Sequence, residues 1–195
     1  MAITQVPSPL SGGMTLISET VASALSSLSL SSIAGTYKQL VLLWYGVYHS
    51  DNASTFSIRF NNDSTTDAYT NNSMSGSGTT GFNSGAESNT YIVGGGANFS
   101  LNIFGQFTNN STTALATMAH GSLTIDNYAS TTRVKNFETN FGYYKNAGTT
   151  GYGNSQMRGQ WVNTSAITSI DIVRVGGSGT FTNATNTSIR LYGVS

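Results

Sequence analysis

Acid–base chemistry near neutral pH needs a group that titrates there, and this sequence offers few. His49 and His120 are the only histidines among 195 residues. Asp51 stands close to His49 in "YHSDN", and Ser122 follows His120 in "AHGS". A serine nucleophile would need the strand–elbow–helix setting of G-x-S-x-G, which neither phrase has. Immediate neighbours on a strand also point to opposite faces, so they make poor triads. A glycosidase would need two carboxylates flanking a cleft. The eight acids are scattered among turns, and no pattern selects a pair. Asp126, in "TIDNYAS", reads as a turn residue, and Asp171 and Arg174 fall on opposite faces of one strand. No catalytic residue is assigned, and the expectation is a protein that is not an enzyme.

Metal chemistry centres on "TFSIRFNNDSTTDAY", Thr55 to Tyr69. Asn61, Asp63 and Asp67 could offer oxygens to calcium, but calcium takes six to eight, and the EF-hand spacing with its glycine and distal glutamate is missing. Asn and Asp are good turn formers because their side chains bond nearby backbone amides and tolerate left-handed conformations. The stretch is therefore read as a hairpin or inter-strand loop, with Phe60 ending one strand and Tyr69 starting the return. The chain has no cysteine, which excludes disulfides, thiolate zinc sites and cysteine nucleophiles. Neither a metal nor a cofactor is expected.

Aromatic side chains are the remaining recognition chemistry. Tyr143, Tyr144 and Tyr152 cluster in "FGYYKNAGTTGYGNS", with Trp161 close behind. A tyrosine presents an apolar ring with a polar tip, which suits a glycan or a protein partner equally. Burial in the core is the commoner fate of such rings.

These groups must be positioned by strands. From Met14 onward the apolar period is two: "MTLISETV", "ALSSLSLSS" and "TFSIRF" alternate as half-buried strands do. "YKQLVLLWYGVY" is more uniformly apolar and is expected to lie centrally, covered on both faces. Further strands are expected in "NFSLNIFGQF", "TALATMAHGSLTI", "TRVKNFETNFGYY", "QMRGQWVN", "ITSIDIVRV" and "TSIRLYGVS". No helical stripe is sustained, so about ten short strands point to an all-β sandwich or jelly roll. Both prolines, Pro7 and Pro9, lie in the first ten residues. Residues 1–13 are therefore expected to form an extended arm outside the sheets, and residues 14–195 one domain. Between Thr70 and Ala97 lies a Gly/Ser/Asn-rich stretch, read as a long loop that is either a surface excursion or lies on a neighbouring subunit or partner with Phe82 and Tyr91 as its footholds.

Composition narrows the partners. Only 8% of residues are charged, and eight basic residues balance eight acidic ones. A neutral chain without a basic run has no electrostatic grip on nucleic acid or an anionic membrane. The longest apolar run, Leu40 to Val47, is too short to span a bilayer. "MAITQVPSPL" lacks the basic and apolar regions of a secretory signal. A soluble chain made in a reducing compartment is expected.

Four phrases in order carry a resemblance. "SSIAGTYKQLVLLW" leads into "IRFNNDSTTDAY", then come "GQWVNTSAITSIDIV" and the closing "TSIRLYGVS". This order resembles a family of tailed-bacteriophage virion proteins, over about Met14 to Ser195. The resemblance implies a jelly-roll-like antiparallel β-sandwich on the virion surface, made in the host cytoplasm. The implied roles are capsid decoration (cement) protein or part of a tail or head fibre. In the first role the partners are copies of itself, as a homotrimer by analogy, and the major capsid protein or another virion protein. The arm would supply Ile3, Val6, Pro7, Pro9 and Leu10 as its assembly contacts. In the second role a host glycan would meet Tyr143, Tyr144 and Tyr152.

Overall fold

The computed structural model describes residues 13–21, 23–49, 55–65, 68–78, 101–104, 119–146, 150–175, 180–183 and 188–195. Ile3, Val6, Pro7, Pro9, Leu10, Asp51, Asp67, Phe82 and Tyr91 lie outside them.

The described residues form twelve strands: β1 (Met14–Thr20), β2 (Ser27–Leu30), β3 (Gln39–His49), β4 (Thr55–Phe60), β5 (Tyr69–Gly78), β6 (Leu101–Phe104), β7 (Ala119–Asp126), β8 (Lys135–Asn146), β9 (Thr150–Trp161), β10 (Ile170–Val175), β11 (Phe181–Asn183) and β12 (Ile189–Val194). They make an all-β antiparallel sandwich, as the alternating pattern predicts. The large sheet runs β1-β12-β3-β7-β8-β9-β5, with β11 also on β3, and the small sheet runs β2-β10-β4-β6. Four pairings organise both sheets: β1 with β12, β2 with β10, β3 with β7, and β4 with β6, all antiparallel. The first four strands thus pair, in order, with four later strands taken in reverse. β8, β9 and β5 widen the large sheet beyond β7.

The core lies where the sheets face. Leu40, Leu42 and Trp44 of β3, Leu123 and Ile125 of β7, and Ile189 and Leu191 of β12 meet Leu30, Ile58, Phe60, Ile170 and Ile172 of the small sheet. Burying such side chains contributes about 1.5–3 kcal/mol each, the main drive that holds the two sheets together. On β8 the inward row is Lys135, Phe137, Thr139 and Phe141, and the outward row Asn136, Glu138 and Asn140. At Phe60 the rings of Tyr69, Phe137 and Trp161 converge, with centroids 5.8 to 6.1 Å away.

Three expectations are corrected. β3 is central in its sheet but covered on one face only: Leu43 and Tyr45 are 37% and 64% exposed. Its uniform apolarity comes from an apolar outer face, not from a third layer. A bulge between Tyr45 and Val47, with Gly46 at φ 68°, keeps Tyr45 outward and Val47 inward. Second, the stretch after Thr70 begins as strand. β5 pairs with β9 from Tyr69↔Trp161 to Gly78↔Tyr152. A ladder is made by backbone groups, so the sequence "YTNNSMSGSG" can join one without apolar alternation. Third, of the two readings of the stretch between Phe60 and Tyr69 the hairpin falls and the inter-strand loop holds, because β4 and β5 lie in different sheets and the segment crosses between them.

Candidate functional site

One end of the sandwich gathers the connections β2–β3, β4–β5, β7–β8 and β9–β10, and with them most of the phrases that carry the resemblance. The crossing begins with a tight turn. Asp63 N–H donates to Phe60 O at 2.9 Å, and Asn61 and Asn62 have φ of 53° and 54°. Two consecutive positive φ values define a turn of type I′, where Asn is among the few favoured side chains.

The side chains of Asn61 and Asp63 and the backbone amide of Asn62 are all used in this turn. Asn61 Oδ1 accepts the Thr168 and Ser169 amides at 2.8 and 3.0 Å, and its Nδ2 donates to Ala166 O at 2.8 Å. The Asn62 amide and the Ser169 hydroxyl both donate to Asp171 Oδ2. Asp63 Oδ1 accepts the Thr65 amide at 2.9 Å, while Oδ2 accepts Trp161 Nε1 at 2.7 Å and Asn163 Nδ2 at 3.4 Å. Burial opposes ionisation of Asp63, but the donors of Thr65, Trp161 and Asn163 outweigh it and hold the carboxyl below its usual value. Tyr69 closes the segment: its hydroxyl accepts the Phe60 amide at 2.8 Å and donates to Asp63 O at 3.2 Å. Burial pushes that phenol far above its ordinary pKa, so it stays protonated.

Lys135 is the second hub. It is fully buried, and Nζ donates to the carbonyls of Ser130, Arg133, Asn163 and Thr164 at 2.6, 2.9, 3.4 and 2.7 Å. It also lies over the Trp161 ring, 5.7 Å from the centroid. Burial lowers its pKa, while four carbonyl dipoles favour the ammonium. The ammonium thereby ties the β7–β8 connection to the β9–β10 connection. The hydroxyl of Tyr128 donates to Ala34 O and accepts the Tyr37 amide at 3.2 Å, and Tyr128 O accepts the Ile167 amide at 2.8 Å. The Tyr37 ring in turn covers Gly193, where an added Cβ would overlap it.

These phrases meet as packing partners: Tyr37 with Gly193, Asn61 with Ala166 to Ser169, Asp63 with Trp161. They build this end of the sandwich. For a calcium ion, Asn61 Oδ1 and both Asp63 oxygens already accept protein donors. Among the described residues no three His, Cys, Asp or Glu side chains cluster as metal ligands. Lys135 is the member the sequence reading missed. Its signal was its place in phase with Phe137 and Phe141, a charge at an inward position.

The expected tyrosine cluster lies at the opposite end. β8 and β9 are antiparallel neighbours, and their register sets Tyr144 opposite Tyr152 and Tyr143 opposite Gly153. His120 is exposed on β7, opposite Tyr45 of β3, with ring centroids 6.4 Å apart. Comparison with known protein families, curated proteins and solved structures finds no match for this chain.

Proposed function

We propose that this chain is a non-enzymatic jelly-roll protein of a bacteriophage virion surface, acting as a capsid decoration or cement protein. The observation that carries the reading is the pairing order. Strands β1, β2, β3 and β4 pair with β12, β10, β7 and β6, the pattern of one long hairpin rolled into two sheets. That is how a jelly roll is built, an architecture used by viral capsid and lectin domains. The resemblance in four ordered phrases supports the virion assignment, and residues of all four pack on one another at one end of the fold. A cement role asks for a stiff body that repeats without charge repulsion, which the near absence of charge suits. The working unit is a homotrimer that contacts the major capsid protein.

The test is the copy number of this chain in purified virions relative to the major capsid protein. A fixed, near-stoichiometric ratio is expected. A handful of copies per particle favours the second reading, a receptor-binding fibre module. That reading draws on the Tyr144–Tyr152 pairing, and alanine at Tyr143, Tyr144 and Tyr152 should then abolish host or glycan binding.

A further inference from the structure

The outward polar side chains over β3, β7, β8 and β9 are not all occupied. Toward the end where residues 60–69 cross, they are tied between strands. Gln39 Nε2 donates to Asp126 at 2.7 Å, Gln160 Nε2 to Asn136 at 2.9 Å, and Arg158 to Glu138 at 3.0 Å. One step further along the ladder the ties stop. Asn140 lies opposite Gln156, and Gly142 opposite Asn154. Asn140, Asn154 and Gln156 are exposed, and their amides have no side-chain hydrogen bond among the described residues. A carboxamide carries donors and an acceptor together, so this end of the face offers both at once.

Rings border the same end. Tyr45 of β3 is 64% exposed and stands opposite His120 of β7, which in turn stands opposite Gly142 of β8. Gly142 brings no side chain, so the row has a gap between His120 and Asn154, about two strand spacings or roughly 10 Å across. A glycine inside a strand often marks the close approach of a ligand. The register sets Tyr144 and Tyr152 one step beyond Gly142 and Asn154 in the same phase, and Tyr143 in the alternate one.

The chemistry around the gap selects its occupant. Asn140, Asn154, Gln156, Tyr45 and His120 include no carboxylate, lysine or arginine. A metal cation therefore finds no charged ligand there, and a phosphate backbone no fixed cation. A stable protein interface buries about 800 Å² per partner around an apolar core. Here the exposed apolar side chains are Leu43 and Tyr45 alone, too few for such a core. A sugar fits both features. Its ring has an apolar face to lie on an aromatic side chain, and each hydroxyl donates and accepts, as the unpaired amides do.

We propose that this end of the outer face binds a neutral glycan seated over Gly142. Tyr45 and His120 form its ring platform, and Asn140, Asn154 and Gln156 bond its hydroxyls. The site deepens the glycan-binding reading above by naming the face and the ligand class, and it rests on that reading only in that a glycan is bound.

The test applies full-length purified protein to an array of neutral hexose and N-acetylhexosamine oligosaccharides, with uronate- and sialate-bearing ones beside them. Retention on at least one neutral glycan is expected. Tyr45→Ala and Asn140→Ala/Gln156→Ala should each weaken it by about tenfold or more, while Asn136→Ala at the tied end leaves it unchanged. These side chains are exposed, so each variant should melt like the parent. Retention on anionic glycans alone would overturn the proposal, as would retention that Tyr45→Ala and the double variant leave intact. Self-association that is lost in Tyr45→Ala, with no glycan retained, would make the occupant a second copy and overturn it as well. Binding lost in Tyr144→Ala/Tyr152→Ala but kept in Tyr45→Ala sinks this seat and leaves the glycan reading standing. No retention on any glycan sinks both, and the cement role is then judged by the virion copy number alone.

Discussion

Asp63 illustrates how one side chain holds two sheets together. Its two carboxylate oxygens accept donors from Thr65, Trp161 and Asn163, so a carboxamide can satisfy only one side. Asp63→Asn should cost about 2 kcal/mol at neutral pH, the scale of a hydrogen bond to a charged group. The folded-state pKa is lowered, so its stabilising effect is present above the unfolded value and lost as pH falls through the folded one. Melts at pH 7 and pH 3 should therefore show a wide gap between parent and variant at pH 7 that narrows at pH 3. An unchanged gap would mean that the carboxylate charge is not what matters. Lys135→Met removes the common donor of four carbonyls and should cost about 3 kcal/mol by denaturant unfolding. Thr139 points the other way. It is fully buried, and its hydroxyl has no hydrogen-bond partner among the described residues. Thr139→Val keeps the shape and removes the unmet polar group, so it should stabilise by about 1 kcal/mol. For a chain of this length that raises the melting temperature by roughly 2–4 °C.

At the scale of elements, legibility followed side-chain alternation. β4 could be read because Ile58 and Phe60 mark a buried face, and β12 because Ile189 and Leu191 do the same. β5 could not, since its "YTNNSMSGSG" carries no such mark and its place comes from the β9 backbone. The bounds Phe60 and Tyr69 were legible from turn chemistry, yet the change of sheet between them was not. Sheet membership is decided by partners more than a hundred residues away, such as Asn61 with Thr168 and Ser169. The candidate site shows the same limit: Asp63 stood out as a carboxylate in a turn, while its donors Trp161 and Asn163 lie far along the chain. Distant elements also meet at Gly193 of β12, where the Tyr37 ring occupies the space a Cβ would need. Gly193→Ala should displace that ring, loosening the β2–β3 connection and costing about 1–3 kcal/mol. Near-ultraviolet circular dichroism and a thermal melt would register both effects, and an unchanged melt would show that Tyr37 moves freely.

At the scale of the whole molecule, the function proposed above assigns stability and assembly to different parts of the chain. The buried core runs from Leu30 to Leu191, and its polar supports are Asp63, Lys135 and Tyr128. Residues 1–12 lie outside the described residues. In the virion reading proposed above they act as an assembly arm, whose share of the free energy appears only when a neighbouring subunit is present. A segment that orders on binding offsets part of its contact energy with the entropy it loses. Removing residues 1–12 should therefore abolish concentration-dependent association and weaken attachment to the particle. The thermal transition of the dilute domain should stay nearly unchanged. Sedimentation and a melt on the same preparation separate the two effects. A truncated chain that unfolds would place the arm within the domain's own core and end the division of labour argued here. One that folds, melts like the parent and still self-associates would move the contact to another surface of the sandwich.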